Sequence, residues 1–180
     1  LDLLNGTKFE DLPLARQRKI LNKSIRGIIL SENTDMEARV DLFERINTGS
    51  KVANPAEVRR GVLRGPFMDL INELADNELF IKLAPVSAKQ KKEREPEELV
   101  TRFFAYSDGL DGYRDDVSAF IFRYIKRMNE LFEANPVLTQ QYRERFSRML
   151  AFVEQSFRLG FKKTLKGTTT PRARFESIAI

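Results

Sequence analysis

Apolar residues recur at helical spacing along most of this chain. Phe67, Leu70, Ile71 and Leu74 share one face behind Pro66. Leu99, Val100, Phe103 and Phe104 do the same behind Pro96, with Glu97 and Glu98 in the first turn, where helix N-termini favour acids. The strongest pattern runs from Asp115 to about Asn135, with Val117, Phe120, Ile121, Tyr124, Met128, Leu131 and Phe132 on one stripe. After Asn135-Pro136 a last long helix carries Leu138, Tyr142, Phe146, Met149, Val153 and Phe157 inward. The short link between these two predicts antiparallel packing. The 14 phenylalanines fall mainly on such stripes and read as core, not as a platform for stacking bases. The expected fold class is mainly α, a helical bundle with one short strand.

The strand is Ser24–Leu30, a short β-branched run containing Ile25, Ile28, Ile29 and Leu30. A lone strand is marginal, so a partner is expected in Leu1–Leu4 or upstream sequence. Residues 9–22 end in a short amphipathic helix with Leu14, Ile20 and Leu21. A further helix, capped by Thr34 or Asp35, carries Met36, Val40, Phe43 and Ile46 and stops at Asn47-Thr48-Gly49. Asn54-Pro55-Ala56-Glu57 opens the next, which ends near Gly65. Residues 85–96, polar and bounded by prolines, read as a mobile loop. Ser107–Gly112 is a turn, and Gly167 to Pro171 breaks the final helical stretch.

A chain of 180 residues, 42% hydrophobic and 32% charged, has the make-up of a globular domain with at most a tail. No apolar run reaches the ~18–20 residues that span a bilayer, so no membrane partner is expected. Without an export leader the expected location is cytoplasmic. The chain opens on Leu1, which reads as a trimmed piece of a longer protein. Cysteine, histidine and tryptophan are absent. That excludes disulfides, Cys/His zinc sites, thiol nucleophiles and imidazole bases.

The charge is unevenly placed. Net charge is +5, from 31 basic and 26 acidic residues. Residues 155–180 hold Arg158, Lys162, Lys163, Lys166, Arg172 and Arg174 against Glu176 alone, so the whole excess lies there. Such a segment suits nucleic-acid phosphates, with a steep salt dependence. A solvated helix end and tail accounts for the same composition.

The densest chemical signal is F-E-R-I-N-T-G-S-K over Phe43–Lys51, followed by N-P-A-E-V-R-R-G over Asn54–Gly61. A helix end, a polar glycine turn and a new helix N-terminus lie close together. Free N–H groups at a helix start favour anions. With Lys51, Arg59 and Arg60 adding positive charge, this turn is a candidate phosphate site, for a nucleotide or for the DNA backbone. The turn lacks P-loop spacing, and a plain helix–helix elbow fixed by Arg–Glu pairs explains the same residues. Arg102 lies in an apolar helix and calls for an acid, because an unpaired buried charge is costly. Glu57 or Glu44 is the expected partner, which makes Glu57–Arg102 a structural ion pair. Asp108, Asp111, Asp115 and Asp116 miss the spacing of a calcium loop, so no metal site is expected. No catalytic residue is assigned.

Taken in order, F-E-D-L (9–12), I-R-G-I-I-L (25–30), F-E-R-I-N-T-G (43–49), N-P-A-E-V-R-R-G (54–61), L-V-T-R-F-F-A-Y (99–106) and R-F-E-S-I-A-I (174–180) resemble the N-terminal domain of GmrSD-type restriction proteins. That resemblance implies a ParB- or sulfiredoxin-like α/β subdomain joined to a helical part, the strand being a remnant of the former. On this division residues 1–64 are the subdomain remnant with the R-I-N-T-G turn, 65–160 the helical body and 161–180 a basic C-terminal segment. It also implies a part in restricting modified or phage DNA, with nucleotide binding and hydrolysis, often ahead of an HNH nuclease.

The family's D-G-Q-Q-R segment does not occur in this chain, and an HNH nuclease needs the histidine it lacks. The resemblance thus implies a non-catalytic piece of a nucleotide-regulated, DNA-targeting protein, whose Arg45, Asn47, Thr48, Gly49 and Lys51, with Arg60, are the expected nucleotide or phosphate ligands on the rim of a pocket completed by missing sequence. No cofactor is expected here; a nucleoside triphosphate with Mg belongs to the longer parent. The partners implied are DNA and the absent N-terminal subdomain or nuclease domain. Two other readings stand beside it: a nucleic-acid-binding helical module working through the basic segment, and a protein-interaction scaffold that recruits a strand to residues 24–30.

Overall fold

A computed structural model describes residues 6–24, Gly27, Leu42 and residues 63–180. The expected strand over 24–30 and the helices expected over 34–62 lie almost wholly outside these. The described residues are mainly helical, with eight α-helices and a single 3-10 turn. The chain divides into two compact units, Leu1–Thr34 and Asp35–Ile180.

In the first unit a 3-10 turn at Phe9–Asp11 leads into α1, Leu14–Leu21. Gln17 ties them together, its amide donating to the Leu12 carbonyl at 2.8 Å and the Glu10 carbonyl at 3.2 Å. Leu14, Ile20 and Leu21 are all exposed.

The second unit contains α2 (Pro66–Ala75), α3 (Glu78–Leu83), α4 (Ala88–Lys92), α5 (Glu95–Ser107), α6 (Val117–Ala134), α7 (Val137–Ser156) and α8 (Arg172–Ala179). Its centre is α2, which packs on α5, α6 and α7. All four predicted inward residues of α2 are buried. Phe67 is fully buried and meets Phe104, Tyr124, Phe132 and Tyr142 edge-on, with ring centroids 5.1–6.2 Å apart. Edge-on contact sets the positive rim of one ring against the negative face of the next, each pair contributing ~0.5–1.5 kcal/mol beyond its buried area. Nine of the 14 phenylalanines are buried, which accounts for them as core.

Local chemistry places the helix starts. Asn77 caps α3, its side chain accepting from the Phe80 amide at 3.0 Å. Asp116 caps α6 through the Ala119 amide at 2.9 Å. Asn135-Pro136 alone links α6 to α7.

Residues 85–96 are not the continuous loop that their polarity suggests. Ser87 and Gln90 form a reciprocal capping box that starts α4, with bonds of 3.2 and 2.9 Å. Arg94, at φ 63°, turns the chain into α5, which begins at Glu95, one residue before the expected Pro96.

The last long helix stops at Ser156, well before the Gly167–Pro171 break. Gly160 (φ 54°) turns the chain so tightly onto α3 that a Cβ there would lie 2.7 Å from the Leu83 carbonyl oxygen. The next amide, of Phe161, donates to that same carbonyl at 3.0 Å. Phe161 and Phe175 then pack together in the core, ring centroids 4.6 Å apart, so the C-terminal segment shares one core with the helical body.

Candidate functional site

The predicted phosphate ligands Arg45, Asn47, Thr48, Gly49, Lys51 and Arg60 all lie outside the described residues, as do Glu44 and Glu57. The described chain resumes at Leu63. Leu63 is buried in the core, 3% exposed. Arg64 and the start of α2 are then gripped by Asn129 from the middle of α6. Its Oδ1 accepts from the amides of Phe67 at 3.1 Å and Met68 at 3.2 Å, and its amide donates to the Arg64 carbonyl at 3.4 Å. A residue distant in sequence thus caps this helix. The approach needs Gly65, since a Cβ there would come within 2.5 Å of the Asn129 side chain. The sequence signal for this cap was a polar Asn129 among the inward residues Tyr124, Met128 and Phe132.

Arg102 is held by two acids. Its Nε donates to Glu98 and one Nη to Glu176 of α8, both at 2.8 Å, and the same Nη donates to the Tyr106 hydroxyl at 3.1 Å. Burial works against the Arg102 charge, but the bonds to Glu98 and Glu176 outweigh it and hold the guanidinium above its ordinary range. Burial also pushes the Tyr106 phenol up. The acid this helix calls for is therefore present one turn earlier and on α8.

The six cations of the basic segment divide into two groups. Arg172 grips the buried Glu95 through two parallel hydrogen bonds, the Nε bond being 2.6 Å. Those bonds raise its pKa. Arg174 is half-buried, its Nε enclosed without a partner among the described residues. Both sit on α8, where Phe175 anchors the helix in the core. Arg158, Lys163 and Lys166 are exposed and Lys162 half-exposed, and among the described residues none of the four has an ion pair.

A third polar cluster joins α5, α6 and α7. The hydroxyls of Tyr124 and Tyr142 (2.7 Å) both donate to Oδ2 of Asp108, while Arg145 pairs with Oδ1 at 2.6 Å. Arg145 lies over the Tyr142 and Phe104 rings, 4.5 and 5.0 Å from their centroids. Burial, reinforced by the Asp108 charge, pushes the Tyr142 phenol up to about 12 and raises Tyr124 as well. Both are held protonated as donors, and the cluster interlocks the three helices. Asp108 is thus engaged by tyrosines and Asp116 by its cap. Among the described residues no group of carboxylates is arranged to hold a metal ion.

The described residues also line two concavities. One of about 150 Å³ is lined by Ala75, Phe80, Ala84, Pro85, Pro96 and Lys91. A wider groove of about 450 Å³ runs past Phe103, Ser107, Arg148, Phe152 and Ile178. Ser107 is not poised as a nucleophile: its hydroxyl donates to the Phe103 carbonyl at 2.6 Å and accepts from Arg145 at 3.3 Å. No described helix is long and apolar enough to cross a membrane. No family model, curated protein or solved structure matches the chain.

Proposed function

We propose that this chain is the helical body of a GmrSD-like DNA-restriction or phage-defence protein, and that it holds the R-I-N-T-G segment in place while being non-catalytic by itself. The reading rests on the ordered motifs in the sequence. The observation that supports it is the mount at Leu63–Met68. A segment that lends ligands to a nucleotide pocket must be fixed, since small displacements of binding groups cost affinity. Further along the chain, Leu63 is buried and Asn129 caps the helix that starts just after it. The basic and polar groups of Arg45, Asn47, Thr48, Lys51 and Arg60 would then face phosphates, with the Gly49 backbone allowing close approach.

The test is titration of ATP and GTP, each with Mg, against this chain and against a form extended upstream through the D-G-Q-Q-R segment. The extended form is expected to bind and hydrolyse nucleotide. Asn47→Ala in it is expected to weaken binding at least tenfold. Equal affinity and turnover with and without Asn47→Ala would remove the turn from the site.

A further inference from the structure

We propose that the turn between α7 and α8 is a docking surface for the phosphate backbone of duplex nucleic acid, read through Arg158, Lys162, Lys163 and Lys166. Residues 155–175 contain no acid. The two acids that flank this stretch are occupied elsewhere. Glu154 pairs with Lys82 at 2.7 Å and Glu176 with Arg102 at 2.8 Å. Arg172 is neutralised by Glu95, and Arg174 is partly enclosed on α8. The chain's positive excess therefore reaches solvent at four side chains within nine residues, and no described carboxylate answers them.

These cations are carried on a fixed turn. The Gly160 bend and the Phe161 amide seat it against the Leu83 carbonyl. Phe161 and Phe175 anchor its two sides in the core. The Gly167 amide closes a tighter turn on the Thr164 carbonyl at 3.0 Å. Exposed Thr164, Thr168 and Thr169 place hydroxyl donors beside the lysines. Pre-ordered cations and hydroxyls lose less freedom on binding, which suits repeated phosphate contacts. An anionic membrane would need apolar anchors as well, and Leu165 is the one large apolar side chain exposed in this turn.

The inference rests on charge placement and not on the nucleotide reading. Nucleotide titration and duplex binding can each fail while the other holds.

The experiment is fluorescence anisotropy of a labelled 20-base-pair DNA duplex with this chain between 50 and 200 mM NaCl. Four phosphate contacts give a slope of log affinity on log salt near −3.6, a loss of about 100-fold across that range. Lys163→Ala/Lys166→Ala is expected to lower affinity on the order of 10- to 100-fold and flatten the slope by about two, with an unchanged unfolding midpoint. Lys91→Ala/Lys92→Ala, on α4, removes the same charge elsewhere and is expected to leave binding within about twofold. Three results would overturn the proposal: no binding at 50 mM NaCl, equal losses in the two double variants, or binding to phosphatidylserine vesicles without binding to the duplex.

Discussion

Arg172 of α8 clamps Glu95 at the start of α5 across 77 residues of sequence, with both carboxylate oxygens engaged. One of six clustered cations is thereby a strut. The Arg102–Glu176 pair links the same two helices. The C-terminal helix is held by charge on one side and by Phe175 on the other.

Removing Arg172 strands a buried carboxylate, and removing Glu95 strands only a half-exposed guanidinium. Arg172→Ala is therefore expected to cost more than Glu95→Gln, on the order of 1–3 kcal/mol once the exposure of Arg172 is allowed for. Urea unfolding of both variants and their combination measures this. Strict additivity would show that the two side chains do not interact.

The pair Gly65 and Asn129 supports a cleaner cycle. Asn129→Ala leaves the Phe67 and Met68 amides without an acceptor and is expected to destabilise by ~1–3 kcal/mol. Gly65→Ala collides with Asn129 in the parent chain, but much of that collision disappears once Asn129 is Ala. The double variant should be more stable than the sum of the single losses predicts. Thermal or urea unfolding that gives a sum equal to the parts contradicts the close approach.

At Gly160 the left-handed backbone alone penalises a side chain by ~1–2 kcal/mol, and the 2.7 Å approach to Leu83 adds to that. Gly160→Ala should lower the unfolding midpoint and speed proteolysis between Phe157 and Lys166. Limited trypsin digestion reads the second effect at Arg158 and Lys162. An unchanged cleavage rate would mean that the turn is not seated on α3.

Alkaline pH probes the Asp108 cluster. Tyr142 is raised to about 12 and Tyr124 is raised too, from an ordinary value near ~10. The folded state therefore holds these protons after the unfolded chain has released them. Their stabilisation is complete below about pH 10 and is lost as pH climbs toward 12. The thermal midpoint should fall over that window in the parent. In Tyr124→Phe/Tyr142→Phe it should start lower at pH 8 and fall less steeply. Lysines titrate in both proteins, so the difference in slope isolates the phenols, and equal slopes would discount them.

The chain's hydrophobic periodicity alone determined α2, α5, α6 and α7 and the burial of most phenylalanines, although Leu131, expected on the inward stripe of α6, is exposed. It could do so because each stripe is a local, repeating property of adjacent turns. The capping box that starts α4 was also legible, as Ser87 three residues before Gln90, but the charge around it masked the signal. Helix α3 is too short to show a period, and only its Asn77 cap announces it. Tertiary structure decided which acid meets Arg102, that Asn129 caps a helix 62 residues away, and that Arg172 faces Glu95 while Lys163 and Lys166 face water. Composition treats all six cations alike. Packing separates them, because a charge or amide taken out of water must find a partner, and folding chooses which groups lie close enough to serve.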